Sequence, residues 1–356
     1  MKQLQLLGIL FLFFYACSSD TAPGKISSTN NAHGKVNQIL VIADSALWAG
    51  PAGDTFYYYF GGPYLLLPQP EPIFDIKHLT PEQLAKQRAQ KEFRTILFLA
   101  DVRDNNSSTA ALVRQDVGEK KIARIPKDKG YSTIVGKDKW ARGQLLFYVF
   151  AEGEDKLMEN VVKNFPPIAR RINEADEEVV KATTYQAGEN AALEADVKLT
   201  FGADIKVPGD FRKAMLNTKT NTMWLRREVR DANANILIHK RPYTNKAQLT
   251  KEGLKTIRNE VSKIVTSNQP NSFMQINDVD LPMLVENKMV NNRYTLQARG
   301  IWDMANDFKG GPFLSCLMLN PDDGYLLLVD AFVFAPGEDK RNYMQELELI
   351  LDSTSF

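Results

Sequence analysis

A short sequence that occurs twice constrains the fold of this chain more than any other feature. Residues 149–156 read VFAEGEDK and residues 333–340 read VFAPGEDK, so the two segments differ at one position. Each begins in an apolar run typical of a buried strand and leads into apolar residues at helical spacing. The glycine suits a strand-to-helix turn, and the two acids after it would face the positive end of a helix dipole. The repeat therefore predicts two related α/β halves.

Four segments are expected along the chain. They are a signal peptide over residues 1–16, a flexible tether over 17–34, a first domain over 35–190 and a second domain over 191–356. Strands in these domains are connected partly by hairpins and partly by helices, which indicates mixed sheets. The expected fold class is therefore α+β, with two related α/β-sandwich domains of ferredoxin-like character in tandem.

Local patterns predict several helix boundaries. A helix is expected over residues 52–60, and another should begin after Thr80, which is placed as the N-cap of a capping box. The long helix of the first half should break or kink at Pro166 and Pro167, because proline lacks the N–H that the helix interior needs. The last helix should begin at Glu338, directly after the second copy of the repeated glycine.

The N-terminus has the features of an export signal. Lys2 precedes an apolar run over residues 4–15, which is too short to span a bilayer as a helix. Ala16 and Cys17 follow at the place where bacterial lipoprotein signals carry their acylated cysteine. An ordinary signal peptide that contains a cysteine is the alternative. With Cys17 as the lipidation site, the protein would be anchored to a membrane of the cell envelope, and the two serines that follow favour the outer membrane.

Composition and motifs exclude several functions. The 44 basic and 43 acidic residues leave a net charge of +1, so nucleic acid is not an expected partner. The three histidines and two cysteines lack the spacings of metal sites, and the sequence contains neither a nucleotide-binding loop nor a nucleophile elbow. No cofactor and no metal are therefore predicted. Cys316 lies in an apolar run and is expected to be an unreactive core thiol.

Aromatic residues indicate a candidate binding surface. Five consecutive aromatics, residues 56–60, cannot all lie on the buried face of one helix, so some of them should face solvent, a partner or a ligand. The alternative is a helix enclosed between the two domains. The proline-rich stretch 65–72 favours an extended recognition segment. The candidate binding residues from both halves are Trp48, Asp54, Tyr57, Tyr58, Gln69, Glu71, Arg299, Trp302, Lys340 and Arg341.

Several blocks of the sequence resemble an uncharacterised lipoprotein family. The blocks are GKVN at residues 34–37, LPQPEPIF at 67–74, RGIW at 299–302 and GPF at 311–313. This domain-of-unknown-function family is common in Bacteroidetes-type bacteria. The resemblance covers nearly the whole mature chain and implies an envelope lipoprotein, but it implies no activity, substrate or catalytic residue.

Three functions are consistent with the sequence. The first is a lipid-anchored, non-catalytic binding or assembly module for an envelope protein or a glycan. The second is an envelope hydrolase that acts on glycan or peptide, with Asp54, Glu71 or Asp75 as acid or base. The third is a structural spacer that only presents surface area. The lack of catalytic motifs, together with the surplus of aromatic residues, favours the first.

Overall fold

The computed structural model describes residues 30–356, so the predicted signal peptide and Cys17 lie outside the described residues. The last residues of the segment predicted as a tether over 17–34 pair with the first domain, and its residues 17–29 lie outside the described residues. Ala32 donates its backbone N–H to the Arg142 carbonyl at 2.8 Å, and the residue after it pairs with the segment that precedes the third strand. Such backbone pairing needs no apolar side chains, so the polar composition of the segment gave no sign of it.

The first domain contains a five-stranded sheet in the order β2-β1-β3-β5-β4. Its strands are β1 (Gln38–Ile42), β2 (Asp75–Leu79), β3 (Thr95–Asp101), β4 (Tyr131–Lys137) and β5 (Leu145–Ala151). Its helices are α1 (Ser45–Trp48), α2 (Pro51–Phe60), α3 (Pro81–Lys86), α4 (Arg88–Lys91), α5 (Ser108–Val117), α6 (Glu119–Ile122) and α7 (Glu154–Thr184). β4 runs antiparallel to β5 at one edge, and the other neighbours are parallel.

Helices cover both faces of this sheet, which explains why its central strands are continuously apolar. Helices α2 and α7 pack on the face that presents Ile39 and Val41, and α3 and α5 pack on the opposite face. The helix predicted over 52–60 is confirmed as α2, which buries Phe56 and Phe60. The capping box at Thr80 is confirmed at the start of α3.

The second domain contains an eight-stranded sheet with the order β10-β11-β12-β13-β8-β7-β6, and β9 also pairs with β11. Its strands are β6 (Arg212–Asn217), β7 (Thr222–Val229), β8 (Ala232–Pro242), β9 (Phe273–Asn277), β10 (Leu284–Val290), β11 (Arg293–Ala305), β12 (Asp307–Asn320) and β13 (Tyr325–Phe334). Its helices are α8 (Ala191–Phe201), a 3-10 helix (Lys246–Leu249), α9 (Lys251–Ser262) and α10 (Arg341–Asp352). Helices α8 and α10 pack on one face and α9 on the other.

Two sheets with packed helices confirm the α+β class, but the strand orders correct the expectation of two related, ferredoxin-like domains. The first sheet is mostly parallel, whereas the pairs of the second sheet are antiparallel. The sequence repeated at residues 149–156 and 333–340 specifies only a local turn after a strand. Its glycines, Gly153 (φ +114°) and Gly337 (φ +79°), adopt a backbone conformation that other residues rarely reach. Two unrelated sheets can use the same turn, so the repeat does not establish a shared topology.

Helix α7 continues through the two prolines at which the sequence predicts a break or a kink, so the prediction of a break at this point is wrong. It runs for 31 residues with Pro166 and Pro167 inside. A proline in a helix interior costs about 3 kcal/mol, because one backbone hydrogen bond is lost and the ring crowds the preceding turn. The apolar stripe of α7 packs on the first sheet both before and after the prolines, through residues that include Val161, Ile168 and Ile172. This burial explains why the helix continues.

Cys316 lies in β12, where it is fully buried, and it forms no disulfide with any residue that the structure describes. Burial raises the pKa of its thiol to about 12. Because the thiolate is the reactive form, these findings agree with the expectation of an unreactive core residue.

In the described part of the chain, no helix is both long and apolar enough to cross a membrane.

Candidate functional site

Open α/β sheets usually bind ligands beyond the carboxyl ends of their parallel strands, where the strand order reverses. In the first domain this point lies between β1 and β3. The carboxylate of Asp44, which closely follows β1, accepts hydrogen bonds from the Ser107 hydroxyl and from the Thr109 N–H (3.3 Å). Asp44 therefore occupies the N-terminus of α5, the position that a ligand anion would take.

The chain's own carboxylates also occupy two neighbouring helix starts at this edge. Glu154 accepts the backbone N–H of Ala52 in the first turn of α2 at 3.2 Å. Asp101 accepts the backbone N–H of Gly153, directly before α7, at 2.8 Å. The edge of the sheet where this topology usually binds a ligand is thus filled by protein side chains. The candidate site lies elsewhere.

Four of the predicted binding residues meet where the two domains touch. Glu71 is buried, and its two carboxylate oxygens accept the backbone N–H groups of Lys340 (2.7 Å) and Arg341 (2.8 Å). The Arg341 guanidinium donates to Asp75 at 2.9 Å, and the Lys340 ammonium donates to Gln69 at 3.2 Å. These contacts join the proline-rich segment of the first domain to the start of α10 in the second. Gln69, Glu71, Lys340 and Arg341 therefore stabilise the domain interface.

The start of α10 corrects the sequence prediction. The helix begins at Arg341 and not at Glu338, so Glu338 and Asp339 lie in the preceding loop. Glu71, from the other domain, supplies the negative charge at the positive end of the helix. A contact with a residue so distant in sequence leaves no local pattern to recognise.

Next to this interface, a cleft of about 610 Å³ opens between the two domains. One wall is formed by α7 and the other by α10. We call it the interdomain cleft. Its lining residues are Asn37, Tyr64, Pro166, Ala169, Arg170, Asn173, Glu174, Asp176, Glu177, Val180, Gln345, Glu348, Leu349 and Asp352.

Asp176 is the most unusual group in the interdomain cleft. Its residue is only 3% exposed, and its Oδ2 accepts the backbone N–H of Asn37 at 2.7 Å. Its Oδ1 is buried and accepts no hydrogen bond from any described residue, and Arg94 approaches it only to 3.9 Å. Burial raises the pKa of this carboxyl group above its ordinary value, although the Asn37 N–H and then Arg94 act in the opposite direction. A buried acceptor without a donor is costly, which suggests that a ligand can supply one.

Asn37 connects the two walls of the cleft. Its left-handed backbone (φ +59°) directs its N–H to Asp176 on α7. Its side-chain amide exchanges two hydrogen bonds with the Gln345 amide on α10, at 2.7 Å and 3.1 Å. Each of these two amides thereby donates one hydrogen bond to the other and accepts one from it.

Ion pairs line the remainder of the cleft. Glu348 pairs with Arg299, Asp352 pairs with Lys288 at 2.9 Å, and Glu174 lies 3.8 Å from Arg170. Tyr64 lies beside the first pair. Burial, followed by the nearby Glu348 charge, raises the pKa of its hydroxyl, which therefore stays protonated at neutral pH.

The structure separates the other predicted binding residues. Trp302 is 3% exposed and donates its indole N–H to the Val333 carbonyl, so it belongs to the core of the second domain and not to a surface. Trp48 is half-buried and stacks on His78 with a ring distance of 4.7 Å. Tyr57 and Tyr58 are the exposed aromatics of α2, at 58% and 75%. Asp54 is exposed in the first turn of the same helix.

Sequence reasoning missed Asn37, Asp176 and Gln345. A usable signal existed for Asp176, because it follows Ile168 and Ile172 at intervals of four on the apolar stripe of α7. A charged residue at a core position of an amphipathic helix is unusual enough to indicate a special role. Asn37 and Gln345 carry no comparable signal.

Within residues 30–356, no three His, Cys, Asp or Glu side chains are grouped so that they could hold a metal ion.

Comparison with known families divides the chain in two. Residues 32–184 match the family described as Domain of unknown function (DUF8532), and residues 190–353 match Domain of unknown function (DUF4837). The chain thus carries two domains of unknown function in tandem. These matches agree with the predicted resemblance to an uncharacterised family.

Among curated proteins nothing matches the chain. Two solved structures show a weak likeness. A point mutant of the protein Mog1 is 10% identical with a TM-score of 0.29, and the match covers 43% of this chain and 89% of that one. The Ran-binding protein Mog1p of Saccharomyces cerevisiae is 10% identical with a TM-score of 0.30, and the match covers 44% and 91%. At these scores the likeness carries no argument about function.

Proposed function

We propose that this protein is a non-catalytic binding protein of the cell envelope that holds a polar ligand in the interdomain cleft. The observation that carries this proposal is the buried Oδ1 of Asp176, which accepts no hydrogen bond from any described residue. A ligand site is typically a concave space with a few precisely placed polar groups, and the cleft combines about 610 Å³ of space with such a group. Its position between two domains is a common place for ligands.

The placement of the three candidate catalytic carboxylates favours binding over hydrolysis. Both oxygens of Glu71 are used by backbone N–H groups of α10, and Asp75 is paired with Arg341. Asp54 lies on the exposed side of α2, away from the interdomain cleft. A hydrolase needs an acid and a base that reach the same bond, and these three residues do not line a common cleft.

Membrane anchoring through a lipid on Cys17 completes the proposal, with the outer membrane of Bacteroidetes-type bacteria as the favoured location. The export signal and the resemblance to a lipoprotein family support it. Cells grown with a labelled fatty acid are expected to yield labelled protein in the membrane fraction, and Cys17→Ala is expected to remove both the label and the membrane association. A labelled Cys17→Ala variant would contradict this anchor.

A second candidate function, assembly with an envelope protein, is favoured by the exposed surface at the end of α2. Tyr57, Tyr58 and Leu65 expose 58%, 75% and 63% of their surface although Phe56 and Phe60 beside them are buried. Exposed tyrosines are typical of protein interfaces. None of these three residues lines the interdomain cleft, so substitutions at them and in the cleft test the two functions independently.

Filling the interdomain cleft tests the main proposal. Asn173 is exposed and lines the cleft, whereas Ala175 is exposed on the same helix and does not line it. The full-length protein is titrated with four probes: N-acetyl-lysinamide, N-acetyl-norleucinamide, N-acetyl-glutamate and the disaccharide N,N′-diacetylchitobiose. At least one probe is expected to bind, with an affinity at least tenfold weaker in Asn173→Trp and unchanged in Ala175→Trp.

A further inference from the structure

The charge state of the interdomain cleft narrows the chemistry of its ligand. Five carboxylates line the cleft, and among its lining residues they face the single guanidinium of Arg170. Four of the five have ion partners at the rim or behind it, namely Glu174, Asp176, Glu348 and Asp352. Glu177 forms no ion pair with any residue of the described chain. The surface that faces a ligand is therefore negative and favours a cation.

Asp176 is the lining carboxylate that could accept a hydrogen bond from a cationic ligand. Its Oδ2 is held by the Asn37 N–H at 2.7 Å, which fixes the orientation of the carboxylate. Its Oδ1 is buried and accepts no hydrogen bond from any described residue, the Arg94 guanidinium lying 3.9 Å away, and Asp176 is one of the residues that line the cleft. An ionised oxygen of this kind forms its strongest hydrogen bonds with charged donors such as an ammonium or a guanidinium.

Two of the neutral polar groups of the cleft are less available to a ligand. The amides of Asn37 and Gln345 already bond each other in both directions. Recognition of an uncharged sugar usually needs several free donors and acceptors, because each buried hydroxyl must be satisfied. The half-buried aromatic Tyr64 also lines the cleft, and aromatic rings attract cations.

We infer that the interdomain cleft selects a ligand with a primary ammonium or guanidinium group, which donates a hydrogen bond to Oδ1 of Asp176. The alkyl part of such a ligand packs between α7 and α10, beside Ala169 and Leu349. This inference rests on the proposed binding function and specifies its ligand class. Ligands of this class include the lysine and arginine side chains of a peptide.

A matched pair of probes tests the inference. N-acetyl-lysinamide and N-acetyl-norleucinamide have side chains of similar length, but only the first carries an ammonium group. Isothermal titration of the full-length protein is expected to show at least tenfold tighter binding of the lysine compound. Asp176→Asn is expected to weaken that binding at least tenfold and to leave the norleucine compound unaffected. Asn173→Lys, which adds a cation at an exposed position of the cleft, is expected to have the same effect without altering the buried carboxylate.

The outcomes separate this inference from the function on which it rests. Equal binding of the two compounds, or binding of the lysine compound that survives both Asp176→Asn and Asn173→Lys, overturns the inference. A second outcome is that the lysine compound does not bind, but N-acetyl-norleucinamide, N-acetyl-glutamate or N,N′-diacetylchitobiose binds and Asn173→Trp removes that binding. This outcome overturns the inference about the ligand class, while the proposed binding function stands. If Asn173→Trp weakens the binding of none of the four probes, the proposed function fails as well. If Asp176→Asn does not fold, Asn173→Lys decides the question.

Discussion

Replacing Arg258 with methionine is expected to lower the free energy of unfolding by about 3–5 kcal/mol, the cost of leaving a buried charge without its partner. Arg258 on α9 is fully buried, and its Nε donates to Asp330 on β13 at 2.8 Å. Its guanidinium also lies 3.7 Å from the ring centre of Phe313. Methionine can fill much of the space but, among the described residues, leaves Asp330 with only the hydroxyl of Ser315 as a side-chain donor. Urea unfolding followed by circular dichroism measures the loss.

The loss in Arg258→Met is expected to depend on pH. Burial raises the pKa of Asp330, and Arg258 opposes that rise in the native protein. Without Arg258 the folded state holds the Asp330 proton more tightly than the unfolded state does. The variant is therefore less destabilised at acidic pH, and its stability falls as the pH rises through the raised folded-state pKa.

A double variant provides the control. Asp330→Asn combined with Arg258→Met removes both charges, so we expect it to recover part of the stability lost by Arg258→Met. A loss below about 1 kcal/mol in the single variant would show that the pair is not as enclosed as described.

Replacing Glu71 with alanine is expected to cost about 2–4 kcal/mol, because it leaves two buried N–H groups at the start of α10 without acceptors. Glu71 bonds Lys340 and Arg341 at 2.7 Å and 2.8 Å and is itself buried. The variant should also expose the domain interface, so that hydrogen exchange rises in the first turns of α10. Thermal unfolding combined with hydrogen exchange measures both effects.

Asp75→Asn is the matched control for Glu71→Ala. Asp75 bonds the side chain of Arg341 at the same interface, but its side chain is 41% exposed. Partly exposed ion pairs contribute little, so the expected loss is at most about 1 kcal/mol. Equal losses in the two variants would contradict the role of Glu71 as the cap of α10.

Local features of this fold were predictable from the sequence. The helix α2 and the capping box of α3 depend on residues within a few positions of one another, and both were predicted. Features that depend on distant contacts were not. The path of α7 through Pro166 and Pro167 follows from its packing on the first sheet, which outweighs the local preference.

The candidate site shows the same division. The sequence predicts Gln69, Glu71, Lys340 and Arg341 among the candidate binding residues, whereas in the structure they contact each other across the domain interface, and such contacts have no local signature. Asp176 was detectable in principle, as a charge on an apolar helix stripe. That its Oδ1 accepts no hydrogen bond from any described residue was not detectable, because this depends on which donors the fold places nearby.

Titration of the cleft-filling variant beside its control tests most directly whether the interdomain cleft is a ligand site. Asn173→Trp and Ala175→Trp place the same large side chain on exposed positions of α7, but only the first lies in the cleft. The predicted result is that N-acetyl-lysinamide binds the native protein and Ala175→Trp alike, and binds Asn173→Trp at least tenfold more weakly, which corresponds to about 1.4 kcal/mol or more of binding free energy. Undiminished binding in Asn173→Trp would place the ligand outside the cleft and contradict the proposed function.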